Sequence, residues 1–164
     1  MLENQHRYQR IGMLRWEDGT DHQLPQDFAD MLGWKELAAT IDSICSEFPT
    51  LDHTLILCDN YGQAGAINYY TQNKKVVAHS YHADYINWLP FDRKITNVVL
   101  VKSSGDGDKN REKETPLFDT VYLAGKRVNQ YAREDIISIY LLKGAKVDIN
   151  QIIKDETDPI KNRK

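Results

Sequence analysis

A chain of 164 residues, 41% apolar and 27% charged, is long enough to bury one substantial core and too short for a two-domain enzyme of ordinary size. Its 21 basic and 24 acidic side chains leave a net charge of −3, which argues against a nucleic-acid partner. Between Glu17 and Asp59, ten carboxylates face the single base Lys35, so that half is expected to repel phosphate. The richest apolar runs, Asn97 to Val101 and Ile136 to Leu142, fall far short of the roughly 20 residues a membrane span requires, and no secretory signal can be read in the first, polar residues, which have no apolar segment behind them.

Residues 1–23 are polar and without clear periodicity; they predict an extended arm, anchored by Leu14 and Trp16, that packs on the domain. After Pro25, apolar residues from Phe28 to Phe48 recur at threes and fours, as one buried face of a helix demands. Gly33 divides off a first turn or two, because glycine is costly inside a helix, and Pro49 ends the segment. The run from Thr54 to Asp59 predicts a short buried strand, after which Asn60 caps a helix reaching Tyr70. Lys75 to Ser80 and Ile95 to Ser103 give two more strands, with a short helical piece from His82 to Trp88 between them.

Cys45 lies on the apolar helical face and Cys58 near a strand end, so both read as small buried hydrophobes rather than as metal ligands or disulfide partners. Ser103 to Pro116 is polar and glycine-bearing and reads as a mobile, solvated loop. Phe118 to Val128 and Ile136 to Gly144 leave no room for a helix between them and predict an antiparallel pair. A last short helix covers Ile149 to Lys154, before a frayed tail over 155–164. The expected fold class is α/β: a single three-layer domain over 24–154, with a mainly parallel sheet of about five strands, an antiparallel edge pair and a Rossmann- or flavodoxin-like arrangement.

Three segments carry candidate chemistry. In Asn60 to Tyr70, Gly62 and Gly65 follow a strand and open a helix, a turn whose free N–H groups suit a phosphate or carboxylate. It lacks the G-x-G-x-x-G spacing and the lysine of nucleotide-binding loops, and tight helix-on-strand packing would also explain its glycines. In Ser80 to Pro90, His82, Tyr85 and Trp88 recur every third residue beyond a strand end; they either line a pocket rim with Asn60, Tyr61 and Gln63 or cover the sheet. Arg15 to Trp34 is rich in Asp around His22, but its spacing fits no metal site, and acidic residues in a first helical turn stabilise the helix without a ligand. No nucleophile elbow, Cys-His pairing or acid-base carboxylate pair is legible.

Arg15 to Ala38, Asn60 to Tyr70, the His82, Tyr85, Trp88 and Pro90 pattern, and Val128 to Gly144 together resemble, in the same order, a known domain. It is the soluble C-terminal domain of bacterial membrane glycosyltransferases of the family 39, dolichyl-phosphate-mannose protein mannosyltransferase-like type. The resemblance implies a parent that moves a sugar from a polyprenyl-phosphate carrier to an acceptor. Its catalytic carboxylate lies between the first membrane helices, so this domain is expected to hold no catalytic residue, metal or cofactor. It implies a position on the periplasmic side of the inner membrane, with the transmembrane portion of the same polypeptide as partner and a glycan or polyprenyl-phosphate sugar as candidate ligand.

The family's turn commonly reads N-Y-G-E-A-G-A, with an acidic residue also common near position 68; here Gln63 and Asn68 stand instead. A role needing negative charge at either place is therefore not expected, whereas hydrogen-bonded recognition survives. Two roles compete: recognition of acceptor or donor by Asn60, Tyr61, Gly62, Gln63, Gly65, His82, Tyr85 and Trp88, or docking on the membrane portion through Trp16 to Trp34. A free-standing small-molecule or nucleotide-binding α/β domain is the alternative.

Overall fold

The computed structural model describes residues 7–8 and 10–162. Residues 1–6 and 9 of the expected arm and 163–164 of the expected tail lie outside the described residues. The helices are α1 (Gln26–Ala29), α2 (Trp34–Ser46), α3 (Tyr61–Tyr70) and α4 (Ile149–Lys161). The strands are β1 (Thr54–Cys58), β2 (Ala78–Ser80), β3 (Asn97–Ser103), β4 (Phe118–Val128) and β5 (Ile136–Ala145), with a 3₁₀ helix over Ala83–Trp88. Gly33 separates α1 from α2 at φ +82°, a left-handed conformation that glycine adopts without steric cost. Asn60 caps α3, its Oδ1 accepting from the Gln63 N–H at 3.0 Å.

The sheet order is β2-β1-β3-β5-β4. Strand β1 runs parallel to both of its neighbours, β2 and β3, whereas β5 runs antiparallel to both β3 and β4. This corrects the expected mainly parallel, Rossmann- or flavodoxin-like sheet: the molecule is an open, mixed five-stranded α/β sheet. Among the described residues, α3 between β1 and β2 is the only α-helical crossover joining parallel neighbours. The chain then passes from β3 to the far edge as β4 and folds back as β5, filling the gap beside β3. An apolar run covered on both faces has the same composition whichever way its neighbours point, so nothing in the β5 sequence reveals that reversal.

Alternation along the strands feeds two cores. Ile56, Val99, Val101, Ile137, Ile139 and Leu141 face α2 and α3, where Leu37, Ile41, Ala64 and Ile67 are buried. Leu55, Val98, Leu100, Tyr140 and Leu142 face the other way, against Ile149 and Ile153 of α4, Ile86 of the 3₁₀ helix and Leu89 just after it. Helix α4 runs to Lys161 rather than ending at Lys154, because Thr157 is fully buried and donates to the Ile153 carbonyl at 2.8 Å.

Two expected loop regions have local order of their own. In the arm, Leu14 is buried, Trp16 Nε1 donates to the Leu24 carbonyl at 2.8 Å, and its ring stacks on His22 at 3.6 Å. Residues 103–116, read from sequence as a mobile solvated loop, fold around Arg111. That side chain is buried, pairs with Asp106 and lies over the Tyr140 ring at 4.9 Å. Both cysteines are free and buried; burial raises the Cys45 thiol to about 11 and pushes Cys58 up further, so neither is a thiolate at neutral pH.

Candidate functional site

The carboxyl end of β1 and the N-terminus of α3 form one wall of a cleft of about 500 Å³, within the range of small-ligand sites. Asn60, Tyr61 and Gly62 stand on this wall. The rest of the lining comes from Ala29, Asp30, Leu32 and Trp34, between the end of α1 and the start of α2, with Arg127 of β4 and Arg133 and Glu134 of the β4–β5 connection. Tyr61 is 60% exposed. The N-cap bond uses the Gln63 amide, which leaves Tyr61 and Gly62 as the helix's first N–H groups, for which a helix supplies no acceptor.

Glu134 fastens the wall from a distant part of the chain. One of its oxygens accepts from Asn60 Nδ2 at 2.6 Å and the other from Gln63 Nε2 at 2.7 Å. The Asp59 N–H donates to Gln63 Oε1 at 3.0 Å. Gln63 is fully buried, so it lies beneath the cleft and holds its wall rather than meeting a ligand. Arg133 closes the rim, reaching Asp30 at 3.3 Å and Glu17 at 3.1 Å. Both cleft carboxylates are thus engaged, Glu134 by two amides and Asp30 by a guanidinium. Burial raises the Asp59 carboxyl, but Lys102 at 2.6 Å and Ser103 outweigh it and hold the group below its ordinary value, fastening the end of β1 to β3.

The other expected site residues are elsewhere. Tyr85 and Trp88 pack edge to face at 5.0 Å, and a Cβ on Gly65 would lie 3.3 Å from the Tyr85 hydroxyl. Gly65 therefore admits Tyr85 against α3, as tight packing requires. Tyr85 is half-buried against the core, while Trp88 and His82 are exposed; none of the three lines the cleft. The eight expected residues thus divide into three on the cleft wall, one beneath it, and four in or beside the 3₁₀ contact.

Sequence reasoning missed Trp34, Arg127, Arg133 and Glu134. The available signal was the charged triplet Arg133, Glu134 and Asp135 in a connection between apolar strands, and an arginine at the end of such a strand. Among the described residues no group of three or more His, Cys, Asp or Glu side chains could hold a metal ion, and no helix is long and apolar enough to cross a membrane. No family model matches the chain, and neither a curated protein nor a solved structure is significantly similar to it.

Proposed function

We propose that the chain is a recognition module of a membrane glycosyltransferase of the family 39 type, working beside the transmembrane portion of the same polypeptide on the periplasmic face. Its cleft would receive the acceptor or the polyprenyl-phosphate-linked donor, and the membrane portion would supply the chemistry. The observation that carries this reading is the division of the Asn60 to Tyr70 segment. Asn60, Tyr61 and Gly62 open onto the cleft, whereas Gln63 and Gly65 serve packing and hydrogen bonding behind it. The aromatic faces of Tyr61 and Trp34 beside the Asn60 amide suit sugar rings and hydroxyls.

The test is titration of the whole chain with short neutral glycans and with short-chain polyprenyl-phosphate sugars, following the Trp34 indole N–H and the Tyr61 and Gly62 amides by NMR. Saturable shifts are expected, weakened about tenfold by Tyr61→Ala, the cost of one stacked ring. Silence of all three signals at millimolar ligand would remove the reading.

A docking role has its own support. Ile11 and Met13 of the arm, Phe28 of α1 and Met31 just after it are exposed, an apolar set that suits contact with the membrane portion.

A further inference from the structure

Arg127 differs from the other cations of the cleft. It is only 3% exposed, and among the described residues none of its three guanidinium nitrogens has a hydrogen-bond partner. Arg133 is half-exposed and paired twice. Burying a guanidinium with no acceptor costs several hydrogen bonds' worth of lost hydration. Glu134, Glu36 and Asp135 act on Arg127 only through their fields, and Glu134 already accepts from Asn60 and Gln63. Gly33 covers one side of the group: a Cβ there would stand 3.0 Å from Arg127 Cδ, Cζ and Nε. Because Arg127 also lines the cleft, the cleft is the side from which an acceptor reaches it.

We infer that Arg127 anchors a phosphate-binding subsite in this cleft, completed by the Tyr61 and Gly62 N–H groups at the N-terminus of α3 and by Arg133 at the rim. The donors come from three separate segments around the cleft, α3, β4 and the β4–β5 connection, which suits a group with three or four oxygens better than a planar carboxylate with two. The α3 dipole adds positive potential at the same wall. The acidic bias of residues 17–59 does not govern this point, since both arginines are brought in from beyond residue 120. The subsite rests on the cleft being a ligand site and is independent of what the parent enzyme transfers.

The experiment uses the whole chain and NMR signals from the Arg127 Nε–H and the Tyr61 and Gly62 amides. The probes are inorganic phosphate, a sugar 1-phosphate and a short isoprenyl phosphate, with acetate and a neutral methyl glycoside as controls, all at constant ionic strength. All three phosphates should shift all three signals, and Arg127→Met should weaken phosphate binding about tenfold or more, as loss of a charge-assisted pair implies. The Arg127 Nε–H of the unaltered protein reports phosphate binding directly, even if the variant does not fold. No response to phosphate at concentrations on the order of 10 mM, far above useful affinity, would overturn the subsite, and so would an equal response to acetate or unchanged binding in a folded Arg127→Met.

The probes also separate this inference from the recognition role. Shifts with neutral glycans and none with phosphate would sink the subsite and leave that role standing. Equal affinity for all three phosphates, with silence from neutral glycans, would keep the subsite and sink the role. A tighter sugar 1-phosphate or isoprenyl phosphate identifies which side of a phosphate diester the cleft extends to meet.

Discussion

Gln63 and Asn68 each use both halves of an amide. Gln63 donates to Glu134 while accepting from the Asp59 N–H. Asn68 donates to the Ala78 carbonyl at 2.9 Å and accepts from the Ala78 N–H at 2.7 Å, pairing with the first residue of β2. An ionised carboxylate accepts but cannot donate, so at both positions an amide rather than an acid matches the partners. Gln63→Glu should therefore set two carboxylates against each other and destabilise the protein by about 2 kcal/mol at pH 7. The cost should shrink at pH 5, since a proton shared by such a pair binds at raised pKa. Urea midpoints at the two pH values check this, and equal midpoints for variant and parent at pH 7 would show that the two groups do not meet.

At the scale of elements, α2 approaches β4 where the strand carries Gly125. A Cβ there would lie 2.9 Å from Thr40 Cγ2 and 3.3 Å from Ile44 Cδ1, and the β4–β5 register shifts between Leu123 and Gly125. The glycine thus lets a helix sit close on a strand at an irregular point of its ladder. Gly125→Val should lift α2 and cost about 1–3 kcal/mol, as overpacking does. Because α2 begins at Trp34 on the cleft wall, the same variant should move the Trp34 indole N–H resonance. A full-stability variant with an unmoved indole would show that this contact can relax locally. The helices α2, α3 and α4 and the cap at Asn60 were legible in spacing and composition, because amphipathic period and capping are local properties. The length of α4 was not, since Pro159 and the charged residues around it read as a tail and only the buried Thr157 reveals the continuation.

For the whole molecule, pH should act on stability in two stages. Burial, with the Arg93 charge adding to it, lowers the His79 pKa to about 4, and its Nδ1 has no hydrogen-bond partner among the described residues. The unfolded chain takes up this proton as pH falls through about 6.5, whereas the folded chain does so only near 4. Stability should therefore decline across that window, by on the order of 2–3 kcal/mol in all. Asp59 acts lower: its pKa is depressed in the folded state, so its contribution is present above about 3.9 and disappears as pH falls through the folded value. Urea midpoints measured from pH 7 to pH 3 test both stages, and His79→Gln should flatten the upper one. An unchanged slope between pH 6.5 and 4 in that variant would assign the decline to other groups.

The sequence by itself determined where α2, α3, the start of α4 and the strands lie, the glycine break at Gly33 and the cap at Asn60, but not that Phe28 and Met31, read as part of a buried helical face, stay exposed. Each feature so determined follows from periodicity or from contacts a few residues apart. Tertiary structure alone decided that β5 enters antiparallel between β3 and β4, and that Arg127, Arg133 and Glu134 meet the α3 N-terminus. Asn60 and Glu134 are 74 positions apart, and buried strands of either direction share one apolar pattern. Local composition specifies what a segment becomes, while the partner a charged side chain finds depends on which strands become neighbours.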